Sequence, residues 1–275
     1  MDETTALIRR LAIAAGAAIM AVRAGGDLGT RAKADASPVT RADEAADAII
    51  WEGLRAADSG TPIVTEERAA SHGMGGGAGI GAGRFWIVDP LDGTKDFAAG
   101  RDGFTVNIAL VEGGAPVRGV VLAPAAGRLF YTDGGAAFEE AAGPESLGQG
   151  GFGAAPGALR RLQAGAPDPG ALRVVASKSH RDAATDAYIA RLPAAGIVAA
   201  GSSLKFCLVA AGEADIYPRF GPTMEWDTAA GDAVLRAAGG MTARAEDLAP
   251  LAYGKPGHAN PAFVAHAPGA APVPA

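Results

Sequence analysis

The sequence predicts an α+β protein made of stacked mixed layers of sheet and helix, and two patterns carry that expectation. Hairpin-linked strand runs dominate from Phe85 to Phe138, whereas strand and helix runs alternate from Leu172 to Ala238. A chain of 275 residues, 49 % hydrophobic and 20 % charged, has enough apolar material to bury a sizeable core. The expected division is an N-terminal α+β domain over residues 1–160, with an antiparallel sheet, and a C-terminal α/β domain over 161–275, with a mixed sheet. The boundary falls in Glu139–Pro169, which is rich in Gly, Ala and Pro.

Residues 4–24 read as a helix, because Leu7, Leu11, Ala14, Ala15, Ala18, Ile19 and Val22 recur at three and four and Gly25-Gly26 ends the run. Arg9-Arg10 followed by uncharged Leu11–Val22 superficially matches a secretory leader. Acidic Asp2 and Glu3 and the helical spacing favour an ordinary core helix. Ala24 to Thr40 is a polar connector. A second helix is expected over Arg41–Ala57, with Ala45, Ile49, Ile50 and Leu54 on its buried side. Thr61–Thr65 is a short strand run, and Ser71–Gly83 a Gly-rich loop too flexible to pack.

Phe85–Asp89 is a strand run that stops at a carboxylate and a proline. Phe104–Val111 and Pro116–Leu122 are strands joined by the hairpin signal Glu112-Gly113-Gly114, and Leu129–Tyr131 pairs with Ala136–Phe138. Beyond the boundary come a strand at Leu172–Ala176, a helix at Ala183–Arg191 and a short strand at Ile197-Val198. A helix at Ser203–Ala211, a strand at Asp215–Tyr217 and a helix at Thr228–Ala238 follow, the last closed by Gly239-Gly240.

A net charge of −6 and an isoelectric point near 5.3 argue against nucleic-acid polymers and membrane surfaces as partners, since both require basic faces. A lone cysteine, Cys207, excludes an intrachain disulfide, and in Phe-Cys-Leu-Val it reads as a buried small hydrophobe. No uncharged apolar run reaches the roughly 20 residues of a transmembrane helix. The expected compartment is the cytoplasm.

The chemistry concentrates in carboxylates. In Trp86-Ile-Val-Asp-Pro-Leu-Asp-Gly-Thr-Lys-Asp-Phe97, an apolar strand delivers Asp89 to its end, and Pro90 and Gly93 turn the chain so that Asp92 returns beside it. Asp92-Gly93 alone reads as an ordinary Asx turn. Paired carboxylates repel unless a cation sits between them, and hard oxygen donors without His or Cys suit Mg²⁺. The turn amides of Gly93 and Thr94 suit a phosphate oxygen. Glu66 and Glu67 follow a strand run and alone would be a solvated helix start. Asp227, in Glu225-Trp226-Asp227-Thr228, reads equally as the N-cap of the next helix or as a metal ligand. Glu66, Asp89, Asp92 and Asp227 together would hold divalent cations able to activate water and neutralise a phosphoryl group.

The set Thr65-Glu-Glu, Asp89-Pro-Leu-Asp-Gly-Thr94 and Trp226-Asp227 resembles the inositol monophosphatase superfamily of Mg²⁺-dependent, lithium-sensitive phosphomonoesterases, over about residues 5–265. Ser37-Pro-Val-Thr-Arg-Ala-Asp43, Gly103–Ala109, Gly201-Ser-Ser-Leu-Lys–Ala210 and Ala214–Pro222 are most similar to its bacterial 3′(2′),5′-bisphosphate nucleotidases. The resemblance implies an αβαβα layered fold, about two to three Mg²⁺ ions per site, and hydrolysis of adenosine 3′,5′-bisphosphate to AMP and phosphate, as a monomer or homodimer. An inositol or sugar phosphatase is the alternative. By the same resemblance Glu66, Asp89 and the Leu91 carbonyl bind one ion, and Asp89, Asp92 and Asp227 a second. A weaker third sits near Glu66. Thr94 with Asp43 orients the attacking water, and the Gly93 and Thr94 amides hold the phosphate. The Gly-rich stretches Gly73–Gly83 and Gly143–Gly170 are loose for the family.

Ser177, His180 and Lys205 are candidates for the nucleoside or its 5′-phosphate. His180 reads equally as a capping histidine, Lys205 as a lysine snorkelling from an amphipathic helix, and Arg219 as a support for the loop before Asp227. Trp86 and Trp226 read as packing residues. A formal Gly-x-Gly-x-x-Gly at Gly148–Gly153 follows no strand, so it does not predict a dinucleotide site.

Overall fold

The computed structural model describes residues 1–33, 38–71, 81, 83–141, 152, 157–177 and 181–275. Helix α1 (Glu3–Gly25) starts where the Asp2 carboxylate accepts from Thr5 N at 2.7 Å and ends at Gly26, left-handed at φ 76°. Strands β1 (Arg31–Ala32) and β2 (Pro38–Val39) form a small ribbon. Helix α2 (Arg41–Ala57) opens with a capping box between Thr40 and Asp43. Its buried ridge is Ala42, Ala46, Ile50 and Leu54, four residues apart. Ala45 and Ile49, expected inside, lie half-buried on the flank of that ridge.

Strand β3 (Ile63–Thr65) runs straight into α3 (Glu66–Ser71), and β4 (Phe85–Asp92) into the short α4 (Thr94–Ala98). Strands β5 (Thr105–Glu112), β6 (Ala115–Ala123), β7 (Arg128–Asp133), β8 (Ala136–Ala141) and β9 (Leu159–Leu162) follow. Together β3 to β9 make a seven-stranded sheet in sequence order, antiparallel except for the parallel pair β3·β4. The β5–β6 hairpin turns on Gly113 and Gly114, both at positive φ.

Next come β10 (Leu172–Ser177), α5 (Ala183–Ile189), β11 (Ala194–Ala200), α6 (Leu204–Ala210), β12 (Ile216–Arg219), α7 (Ala229–Ala237), β13 (Met241–Arg244) and β14 (Phe263–His266). Their strands form a mixed five-stranded sheet in the order β11-β10-β12-β14-β13.

The layers alternate. Helices α1 and α2 cover one face of the larger sheet through Ile8, Ile19, Ile50, Trp86, Val106 and Leu122. Helices α6 and α7 fill the space between the sheets, where Phe85, Val121 and Phe130 meet Phe206, Val234 and Phe263. Helix α5 closes the outer face of the smaller sheet on Val174, Ile216 and Val264. The result is the αβαβα sandwich. Helix α7 lies so close to β6 that a Cβ at Gly119 would stand 2.6 Å from Ala230 O, a contact only glycine permits. By length and composition α1 could span a membrane despite Arg9 and Arg10, but Ile8, Leu11, Ala12, Ala15 and Ile19 face the core.

Several strands were not anticipated. The sequence of β9, Leu-Arg-Arg-Leu, lacks an apolar alternation and is held by Arg160–Glu139 pairing to β8. Strands β13 and β14 are four-residue segments that pair with each other although no hairpin turn joins them. Most of the expected Ser71–Gly83 loop, the Gly148–Gly153 string apart from Phe152, and His180 lie outside the described residues.

Candidate active site

Strand β4 sets the site. Asp89 pairs with Asn107 of β5, but Asp92 pairs with Thr105, so one extra residue bulges at Pro90-Leu91. The bulge bends the strand end and leaves both aspartates at one mouth. Asp89 is buried, with Oδ1 accepting from Leu91 N at 3.0 Å. Gly93 then turns at φ 93°, where a Cβ would stand 2.5 Å from Ser202 Oγ and 2.8 Å from Gly103 O. Ser202 Oγ donates to Asp92 O (2.9 Å) or Gly103 O (2.8 Å), and Ser203 N donates to Asp92 Oδ2 at 2.8 Å. The turn before α6 is thereby locked onto the turn after β4.

Thr94 opens α4, and its hydroxyl reaches Asp43 Oδ1 at 2.9 Å and Leu91 O at 3.1 Å. The other Asp43 oxygen accepts from Thr40 N (2.7 Å) and Thr40 Oγ1 (2.6 Å). Burial raises the Asp43 carboxyl above its ordinary value although these donors pull it down. Glu66 arrives beside Asp89 because β3 runs parallel to β4 with Thr65 opposite Val88. It does start a helix, but Lys33 Nζ bridges Glu66 and Glu67 at 2.7 Å each, so it is not simply solvated.

Asp227 ends a 3-10 turn, Glu225–Asp227, and its Oδ2 accepts from Met224 N at 2.8 Å. It therefore closes its own turn and does not cap α7, whose N-cap residue is Thr228. The intervening turn changes the geometry assumed from sequence. Lys205 is also unlike the snorkelling lysine considered above. It is 4 % exposed, donates to Ser202 O at 2.6 Å and lies 5.1 Å from the Tyr217 ring centroid. Burial lowers it to about 8, against the pull of Asp92. Arg219 donates to Pro222 O at 3.1 Å in the loop before Asp227.

The acids act on one another. Burial raises Asp89 well above the usual carboxylate range, and the charges of Glu66, Asp92 and Asp227 add to it. Burial pushes Asp227 up to about 8, with Asp92 next in effect. Asp92 reaches only about 6, because Lys205 and Ser203 N offset its burial. Among the described residues, no three acidic, His or Cys side chains already close into a ligand cage. Each carboxylate instead has one oxygen held by a protein donor: Leu91 N, Ser203 N, Met224 N or Lys33 Nζ.

One cavity of about 840 Å³ is walled by Glu66, Asp89, Leu91, Asp92, Gly93, Thr94, Ser177, Lys205 and Asp227. Asp43 is not in that wall and reaches it through Thr94. Lys33, Ser202, Arg181 and His258 also line the cavity and were not singled out from sequence. Ser202-Ser203 before a helix run is a turn signal that pointed there, whereas nothing local marks His258.

The sequence profile of the inositol monophosphatase family matches residues 1–268. The chain belongs to the inositol monophosphatase family. It is 43 % identical over 245 residues to the 3′(2′),5′-bisphosphate nucleotidase CysQ of Escherichia coli (strain K12), covering 87 % of this chain and 88 % of that one. Among solved structures, CysQ from Bacteroides thetaiotaomicron superimposes with a TM-score of 0.74 at 37 % identity, covering 94 % of each chain. An IMPase of Thermotoga maritima shares the fold with a TM-score of 0.71 at 24 % identity, over 95 % of this chain and 90 % of that one. As a member of this family the protein is a phosphatase-class hydrolase.

Proposed function

We propose that this protein is a Mg²⁺-dependent phosphomonoesterase that hydrolyses adenosine 3′,5′-bisphosphate to AMP and phosphate in the cytoplasm. The observation that carries the reading is one cavity in which Glu66, Asp89, Asp92 and Asp227 crowd together beside Thr94, Ser177 and Lys205. Relatives named as 3′(2′),5′-bisphosphate nucleotidases support the substrate.

The donor set fits magnesium. Asp89, Asp92 and Asp227, pushed up by burial and crowded with Glu66, need positive charge, and hard oxygen donors select Mg²⁺. Glu66, Asp89 and the Leu91 carbonyl would hold one ion, and Asp89, Asp92 and Asp227 another. When bound, the ions supply water activation and neutralise the phosphoryl oxygens.

The chain's own groups do the rest. The Thr94 hydroxyl gives its proton to Asp43, which leaves an oxygen lone pair to accept from the attacking water. Glu66, also in the cavity wall, would serve the same water. The Gly93 and Thr94 amides hold the phosphate that is cleaved. Ser177, Lys205 and His180 address the nucleoside and its second phosphate, and Lys205 supplies buried positive charge there. Kinetics on adenosine 3′,5′-bisphosphate and inositol 1-phosphate side by side test the assignment: a higher kcat/KM on the nucleotide is expected. A higher value on the inositol ester would make the protein an inositol or sugar phosphatase with the same machinery.

A further inference from the structure

The turn that carries Asp227 contains a second carboxylate that the proposed reaction does not use. Glu225 is 0 % exposed, yet it belongs to a different electrostatic environment from Asp227. Its oxygens accept from Gly254 N (3.0 Å), Lys255 N (3.0 Å), Lys255 Nζ (2.6 Å) and His258 Nδ1 (2.7 Å). Burial raises its pKa, but the His258 and Lys255 hydrogen bonds bring it below the ordinary glutamate value. It is a fixed anion that anchors a loop.

That loop has an unusual backbone. His258 is left-handed at φ 57°, directly after Gly257 at φ 72°. A non-glycine residue holds such a conformation only when its surroundings dictate it, and such residues gather at functional sites. The Glu225 bond and the backbone bond from His258 N to Lys255 O (3.1 Å) hold His258 there. The former aims the imidazole at the back of the turn, with its ring centroid 6.0 Å from that of Trp226, while Gly257 and His258 line the cavity. Asn260 grips the same turn, donating to Met224 O at 2.7 Å and Thr228 Oγ1 at 3.1 Å. The Asp227 carboxylate bonds Met224 N within its own turn, so its direction into the acid cluster follows the placement of the whole turn.

We propose that Glu225, held by Gly254, Lys255 and His258, positions the turn that aims Asp227 at the cation site, and so sets the affinity for the ion. This rests on the metal reading above. Groups that orient metal ligands from behind are typically worth about 10- to 100-fold in metal affinity or activity.

The test uses three variants of the full chain: Glu225→Gln, His258→Leu and His258→Asn. The asparagine amide can place a donor where Nδ1 stands; leucine cannot. Mg²⁺ binding is measured by calorimetry without substrate, and phosphate release is followed across a Mg²⁺ series. His258→Leu and Glu225→Gln are expected to weaken Mg²⁺ binding about 10-fold or more and to raise the half-activating Mg²⁺ concentration. His258→Asn is expected to retain most of the affinity. A role confined to stability would lower Tm and leave the Mg²⁺ constant alone; that result overturns the inference. If Glu225→Gln does not fold, His258→Leu decides, since it removes a single donor. An unsubstituted chain that binds no Mg²⁺ overturns the functional reading and this inference together. Equal binding by the unsubstituted chain and His258→Leu overturns this inference alone.

Discussion

Asp43→Asn reverses the polarity of a hydroxyl without changing the volume of the site. The native carboxylate accepts from Thr40 N, Thr40 Oγ1 and Thr94 Oγ1 at 2.7, 2.6 and 2.9 Å. An amide offers one acceptor and one donor, and Thr40 N can only donate. The amide oxygen must therefore face Thr40, and its nitrogen faces Thr94. The Thr94 hydroxyl then accepts, and its own proton turns to Leu91 O, 3.1 Å away. The carboxylate that could accept the Thr94 proton as the hydroxyl takes one from the water is gone, so the relay is broken. A positioned base contributes about 10²- to 10⁴-fold, or ~2.7–5.4 kcal/mol of barrier. Stability should move far less. Weakening a helix cap costs about 1 kcal/mol, and removing a carboxylate whose charged form is disfavoured by burial offsets part of that. The assay is phosphate release at saturating substrate and Mg²⁺, with Tm and KM measured alongside. Thr94→Val should lose a similar amount, and the double variant should be hardly worse than either single one, because the two groups act as a unit. A folded Asp43→Asn enzyme with kcat within about threefold of the original, well below the contribution expected of a positioned base, would refute the reasoning.

Asp92→Asn should lower turnover by several powers of ten at saturating Mg²⁺, read as phosphate release, because the ions supply much of the barrier reduction. The metal-free protein should lose stability as pH rises from about 4 to about 8, followed as Tm in EDTA. Asp92 and Asp227 bind protons more tightly folded than unfolded, with values of about 6 and about 8 against an ordinary 3.8, so deprotonation through that window favours the unfolded chain. Saturating Mg²⁺ should flatten that slope, and an unchanged slope would argue against cation binding at the cluster. Gly93→Ala should cost at least about 1–2 kcal/mol from its φ of 93° alone. It should also reduce kcat, since the new methyl group displaces the Ser202 bond to Asp92 O; thermal melts and kinetics on one preparation check both.

What could be read from the chain was local. Helix α2 starts and stops where expected, at Arg41 and Ala57, because Thr40 and Asp43 form a cap within four residues and an apolar ridge follows. The Gly113-Gly114 hairpin and the turn from Asp89 to Thr94 were legible for the same reason: their proline and glycine signals sit inside the segment they shape. What only the tertiary structure decided depends on partners distant in sequence. Thr94 meets Asp43 across 51 positions, and His258 meets Glu225 across 33. Strand β14 exists because β12 and β13 flank it, not because Phe-Val-Ala-His alternates. Lys205 became a buried cation, not a surface one, when α6 was enclosed between the two sheets. Backbone preferences and caps act within a few residues and are written into the local sequence. Burial, pairing and charge crowding arise only once distant segments are brought into contact, and those are the terms that make four separate carboxylates one site.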